Sequence, residues 1–298
     1  MTNINKPYII IISGPNGAGK TTFYNQIISQ NPFFLNTVFI NYDNEIATLK
    51  ELPEYALKYQ QLLSRKQQIT SGLKIIPNAN IQITSVPYIH AYPINEFISY
   101  TNQLSNLNLV VARNASKRLR KKIHDAFTNS KNIIFETTSP AQRMRSSAEH
   151  YGYDIYGFHI CVSEPELSVA RVQHRVKNVG HDIPQPVIFQ RYQDNISMLS
   201  KSIITETAAI VIDNSNKKPF TPIFALSKQH IINIAECPDY LQKTYNKLSK
   251  KLPHESLTQL LNLQPDLDIK GLPSDQRKTL LQIMLLHLMG KITGQHQK

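Results

Sequence analysis

The run Gly14-Pro15-Asn16-Gly17-Ala18-Gly19-Lys20-Thr21-Thr22 carries the clearest chemistry in the sequence. It fits the pattern Gly-x-x-x-x-Gly-Lys-Ser/Thr at every fixed position. A loop of this kind turns successive backbone N–H groups and the positive end of a helix toward one point, which suits a polyphosphate. Lys20 would reach the β- and γ-phosphates of a nucleoside triphosphate, and the Thr21 hydroxyl would ligate Mg2+. The bland reading, a glycine-rich turn needed only for its positive φ angles, leaves the Lys-Thr pair unexplained.

Three further stretches hold side chains suited to phosphoryl transfer. Asp43 follows the apolar run Thr37-Val38-Phe39-Ile40-Asn41. A carboxylate there would deprotonate an attacking hydroxyl, a role worth roughly 10²–10⁴-fold in rate; the same position also suits a helix N-cap. Glu136, with Thr137 and Thr138, ends the run Asn132-Ile133-Ile134-Phe135. It would lie beside the metal or accept hydrogen bonds from acceptor hydroxyls, because a buried carboxylate without a partner is costly. Arg171 and Arg175 are four apart and share a helix face. With Arg191 beyond the Gly180-His181-Asp182-Ile183-Pro184 break, they form a lid whose arginines would be worth about 10³-fold or more. The alternative is a solvated helix face paired with Glu164 and Glu166. His181 reads as a lid hydrogen-bonder rather than a base.

These residues need strands that end beside them and helices between. Tyr8-Ile9-Ile10-Ile11-Ile12 is a β-branched run of the kind buried on both faces. Phe23, Ile27 and Ile28 recur after the loop at helical spacing. Strands are expected at 37–41, 132–136, 154–162 and 208–212, with helices at 112–128, 140–150, from Pro165 through Arg175, and at 186–199. Alternating strands and helices predict an α/β fold, a P-loop kinase-like parallel sheet covered by helices on both faces. Ligands in such sheets bind at the carboxyl ends of the strands. Between about 48 and 108 the pattern loosens around a helix near 54–69 and prolines Pro77, Pro87 and Pro93. Central strands tolerate few prolines, so this is read as an insertion. The core is therefore expected over 1–216, and 217–298 reads as a C-terminal extension of short amphipathic helices.

Composition sets bounds. The 298 residues suffice for one large or two modest domains, and 41% hydrophobic with 18% charged residues is ordinary for a globular protein. Two cysteines, Cys161 and Cys237, make no disulfide framework, which fits a reducing compartment such as the bacterial cytoplasm. The apolar run 280–289 is too short to span a bilayer. A net charge of +12 draws anionic partners unless Lys117-Arg118-Leu119-Arg120-Lys121-Lys122 and the C-terminal lysines are only solvated faces. Basic stretches interleaved with base-stacking aromatics are missing, which disfavours nucleic acid.

In order along the chain, the loop, Asn41-Tyr42-Asp43-Asn44-Glu45-Ile46, Phe135-Glu136-Thr137-Thr138, and Arg171 to Arg175 through Gly180–Pro184 to Arg191-Tyr192 resemble the zeta toxin family. That resemblance covers about residues 9–215, outside the insertion. It implies phosphorylation of the amino sugar of UDP-N-acetylglucosamine at its 3′-hydroxyl, with ATP and Mg2+ as cofactors. It implies Asp43 as base, Glu136 and Thr138 as sugar-nucleotide contacts, and Arg171 with Arg175 or Arg191 as phosphate clamp. Ala115-Ser116-Lys117 stands where many relatives have Ala-Gly-Arg, which places Lys117 on the substrate side. A separate antitoxin chain or another protein partner is also implied. Two other functions stay open, a kinase of nucleic-acid ends and a nucleotide-dependent binding module whose last strand ends in Asp213.

Overall fold

The computed structural model describes residues 6–73, 91–138, 140–179, 183–215, 219–227, 230–256 and 274–289. Along the chain run β1 (Tyr8–Ser13), α1 (Lys20–Phe23), β2 (Val38–Asn41), α2 (Tyr42–Glu51), α3 (Pro53–Leu73), α4 (Ala91–Thr128) and β3 (Ile133–Thr137). They are followed by α5 (Gln142–His150), β4 (Asp154–Cys161), α6 (Pro165–Val179), α7 (Gln185–Ile203) and β5 (Ala208–Asp213). The last described elements are β6 (Thr221–Ser227), β7 (His230–Asn233), α8 (Asp239–Ser249), β8 (His254–Ser256) and α9 (Ser274–Leu288). Two compact units result, one of Met1–Ile40 with Asp125–Lys298, the other of Asn41–His124.

The first unit is built on an eight-stranded sheet of order β2-β3-β1-β4-β5-β6-β7-β8. β1 is buried at every position and lies parallel to β3 on one side and β4 on the other, with β5 parallel to β4. The period of two along β5 explains the two covered faces. Ile210 and Ile212 enter a core with Phe23, Ile27, Leu281 and Met284, whereas Ala209 and Val211 pack with residues of α7 and α8 such as Leu199 and Leu241. The mostly parallel α/β sheet of P-loop kinase-like type is therefore present.

Beyond β5 the structure corrects the expected helical extension. β6 and β7 continue the sheet antiparallel and β8 pairs parallel with β7, so 217–298 adds strands as well as helices and belongs to the same unit as the loop. Pro222 is the second residue of β6. It is accommodated because the β5–β6 register shifts between Val211 and Ile212, the residue facing Pro222.

The second unit is wider than the expected insertion at 48–108. In it α3 and α4 run antiparallel, joined by hydrogen bonds from Asn114 to the Tyr55 hydroxyl (2.6 Å), from the Tyr59 hydroxyl to Asn108 (2.7 Å) and from Arg65 to Gln103 (3.2 Å). Leu49, Tyr55, Val111 and Ala115 form its core. Pro93 lies in the first turn of α4, where its missing N–H is no loss, so that helix starts far earlier than 112. Pro77 and Pro87 lie outside the described residues. Among the described residues no helix is long and apolar enough to cross a membrane.

Candidate active site

The loop between β1 and α1 is held from several sides. At Gly17 φ is +74°, and a Cβ there would stand 2.6 Å from the backbone oxygen of Ser168 on α6, so the close approach of loop and helix requires glycine. The buried Lys20 ammonium donates to the carbonyls of Gly14 and Pro15, each at 2.9 Å. Asn214, just past β5, donates from Nδ2 to the Ala18 carbonyl at 2.8 Å and accepts from the Phe220 N–H at 3.3 Å. Phe220 in turn meets Phe23 edge-on, with centroids 5.3 Å apart. The C-terminal third of the chain thus reaches the phosphate loop directly, a link with no motif to announce it.

Two arginines close on the same loop from different helices. Arg171 on α6 donates to the carbonyls of Gly17 (3.4 Å) and Asn214 (2.8 Å). Its burial lowers the guanidinium pKa and the nearby Asp213 charge opposes that fall. Arg191 on α7 donates from Nη1 to Asn16 Oδ1 at 3.0 Å. α7 is itself tied to the end of β3, since Asn195 donates to the Thr138 carbonyl at 2.6 Å. Arg175, one turn beyond Arg171, is exposed and has no hydrogen bond or ion pair to the described residues. Of the two arginines left open as second clamp, Arg191 is the one brought to the loop. His181 lies outside the described residues.

Glu136 supplies the most informative contact. β3 is the direct neighbour of β1, and its register sets Glu136 opposite Ile12, two residues before the loop. The Thr21 hydroxyl donates to Glu136 Oε1 at 2.8 Å, while Oε2 is buried and meets no partner among the described residues. An orphaned carboxylate oxygen beside the loop threonine is a hard-oxygen pair of the kind Mg2+ takes, together with phosphate oxygens and water. Among the described residues no group of three or more His, Cys, Asp or Glu gathers for a metal, so any ion here is held by few protein atoms. Tyr24, in the single π turn Tyr24–Ile28 that prolongs α1, lies close enough to feel this charge. Burial first, and then Glu136, raise its hydroxyl pKa. Its ring stacks on Phe39 at 3.7 Å between centroids, 4° from parallel.

Asp213 is otherwise engaged. Its Oδ1 accepts from the Ser215 N–H (2.9 Å), from the Ser215 hydroxyl and from the Tyr240 hydroxyl (2.8 Å), which knots the end of β5 to α8. This occupied oxygen is a structural staple, unlike the free oxygen on Glu136.

In the second unit, Asn41 rather than Asp43 caps α2: its Oδ1 accepts from the Asn44 N–H at 3.0 Å. Asp43 is exposed and hydrogen-bonds to none of the described residues, so the N-cap alternative falls away. Lys117 on α4 is exposed. Within the same basic run, Arg118 and Lys122 pair with Glu45 at 3.6 and 3.2 Å, and because both cations stay well solvated each contact is worth about 1 kcal/mol or less.

A family model described as an AAA domain matches residues 9–194. Among curated proteins none matches the chain. Similar solved structures include one of the PezAT chromosomal toxin–antitoxin system of Streptococcus pneumoniae, 16% identical, covering 82% of this chain and 86% of that one, TM-score 0.42. The AvrRxo1-ORF1–ORF2 complex is 12% identical over 96% of this chain and 80% of its counterpart, TM-score 0.47. A structure of the Pnkp1/Rnl/Hen1 RNA repair complex is 16% identical over 67% of this chain, TM-score 0.39, and the match spans only 47% of that chain.

Proposed function

The chain belongs to the AAA domain family, and from that premise we propose that it transfers the γ-phosphoryl group of ATP to a hydroxyl of a small acceptor, a sugar nucleotide of the UDP-N-acetylglucosamine kind. The observation that carries this reading is Thr21 bonded to a buried glutamate whose second oxygen meets no partner. That arrangement fits Mg2+, held by the Thr21 hydroxyl with Glu136 beside it, and the ion would draw charge from the phosphate oxygens. The loop N–H groups bind the β- and γ-phosphates, and the Lys20 ammonium moves its donors onto the oxygens where charge grows. Arg191 and Arg171 steady the same charge from the α7 and α6 sides. Asp43 removes the proton of the acceptor hydroxyl. That oxygen bonds to the γ-phosphorus as the bond to the β-phosphate oxygen breaks, leaving ADP. Asp43 is assigned by its place two residues beyond β2, at the strand end where such sheets do their chemistry.

The test is to incubate the protein with ATP, Mg2+ and UDP-N-acetylglucosamine and to look for a phosphorylated product by mass spectrometry. A screen of other sugar nucleotides and of nucleic-acid ends runs alongside. ATP binding with no phosphorylated acceptor anywhere in the screen would leave a nucleotide-dependent binding module instead.

Glu136→Gln separates the two roles open to that carboxylate. If it serves the metal, the Mg2+ concentration for half-maximal activity rises by about 10–100-fold, while the acceptor KM holds. A rise confined to the acceptor KM assigns Glu136 to the sugar nucleotide.

A further inference from the structure

A second polar constellation lies beneath the loop, and none of the chemistry above uses it. Ser13, the last residue of β1, sets its Oγ 2.8 Å from His159 Nδ1 on β4. His159 Nε2 lies 2.9 Å from Glu206 Oε2, and Arg145 of α5 donates to Glu206 Oε1 from both Nε (3.2 Å) and Nη2. The side chains of Arg145, Glu206 and His159 are at most 2% exposed. The fold makes room for this group at Gly157, where a Cβ would stand 2.0 Å from Glu206 Oε2.

Donor and acceptor inventory gives the row a direction. Glu206, as a carboxylate, only accepts, so Nε2 of His159 donates to it and the second ring nitrogen is left to the Ser13 hydroxyl. The Ser13 side chain is thus committed to β4, one residue before the phosphate loop begins.

The backbone at that point leaves little slack. Ser13 lies in register with His159. Gly14, with φ +155°, passes so close over β4 that a Cβ would stand 2.2 Å from the Ile160 carbonyl oxygen. We propose that Ser13 and His159, oriented by Glu206 and Arg145, are positioning residues that fix the takeoff of the phosphate loop from the sheet and so set its grip on the ATP phosphates. The proposal rests on the kinase reading above and adds residues that contact neither ATP nor acceptor.

Ser13→Ala removes one hydroxyl and leaves the strand pairing intact. The expected result is ATP binding weakened about tenfold by calorimetry, the worth of one well-placed hydrogen bond, with a melting temperature lowered by a few degrees for the lost buried bond and with Ser13→Thr restoring most of the affinity. In parallel, the nitrogen-15 resonances of His159 in histidine-labelled wild type should move on addition of ATP. Wild-type-like ATP affinity in Ser13→Ala, or His159 resonances that stay still when ATP binds, overturns the proposal and leaves the kinase reading standing. Wild type that binds no ATP overturns the kinase reading and takes this proposal with it.

Discussion

Asp43→Ala protein should transfer phosphate about 10²–10⁴-fold more slowly than wild type, the range for loss of a general base, while binding ATP as tightly as before. The side chain is exposed, bonds to none of the described residues and is relieved of capping by Asn41. Its removal should therefore leave α2 standing, apart from a favourable helix-dipole contribution of roughly 0.3–1 kcal/mol from a first-turn acid. Single-turnover kinetics with saturating ATP and acceptor read the chemical step, and calorimetry reads ATP affinity. A variant that transfers at the wild-type rate removes Asp43 from the chemistry and leaves Glu136 as the carboxylate to examine. A fall in ATP affinity equal to the fall in rate would recast it as a nucleotide-binding residue.

The second large effect concerns stability. Arg145→Ala deprives Glu206 of its cation in a place that water does not reach, and breaking a buried pair in this way costs about 3–5 kcal/mol. The exposed pair Lys6–Asp154, at 2.6 Å with side chains 43% and 23% accessible, provides the control, because Lys6→Ala should cost about 1 kcal/mol or less. Urea denaturation of the three proteins compares them directly. Replacing both partners, Arg145→Met with Glu206→Leu, removes the charge and its countercharge together and should recover much of the loss. Equal, small losses for Arg145→Ala and Lys6→Ala would mean that Glu206 finds another partner when the arginine is gone.

What the sequence disclosed and what it hid follow from the range of the forces involved. β1, β3, β4 and β5 were readable because strands covered on both faces need long apolar, β-branched runs, and Ile9-Ile10-Ile11-Ile12 and Ile210-Val211-Ile212 supply them. β7 has only four residues, and β6 carries Pro222 at its second position, which reads as a break until the register shift against β5 accommodates it. Pro93 marked a break only because its place in the first turn of α4 was not visible in advance. The phosphate loop and Glu136 were legible as motifs, whereas the bond between them exists only once β3 lies beside β1. Spacing favoured Arg171 and Arg175 as a pair, yet two residues on one helix face need not aim at one point. The residue that joins Arg171 comes from the next helix. Ser13 and His159 are 146 positions apart, and the one local sign of their contact was a histidine inside the otherwise apolar run of β4.

The backing of the loop helix has a consequence for how the molecule is made. Phe23, Ile27 and Ile28 share a core with Leu281, Met284 and Leu285 of α9, and Gln282 donates to the Ile27 carbonyl at 2.7 Å across 255 positions of chain. During synthesis from the N-terminus, the phosphate loop leaves the ribosome long before the helix that seals its rear. Contacts of such span close slowly, because the intervening chain must first be ordered. Until α9 arrives, the apolar side of the loop helix is open to water and to other chains. The backing of the loop helix is therefore completed by residues far from it in the chain.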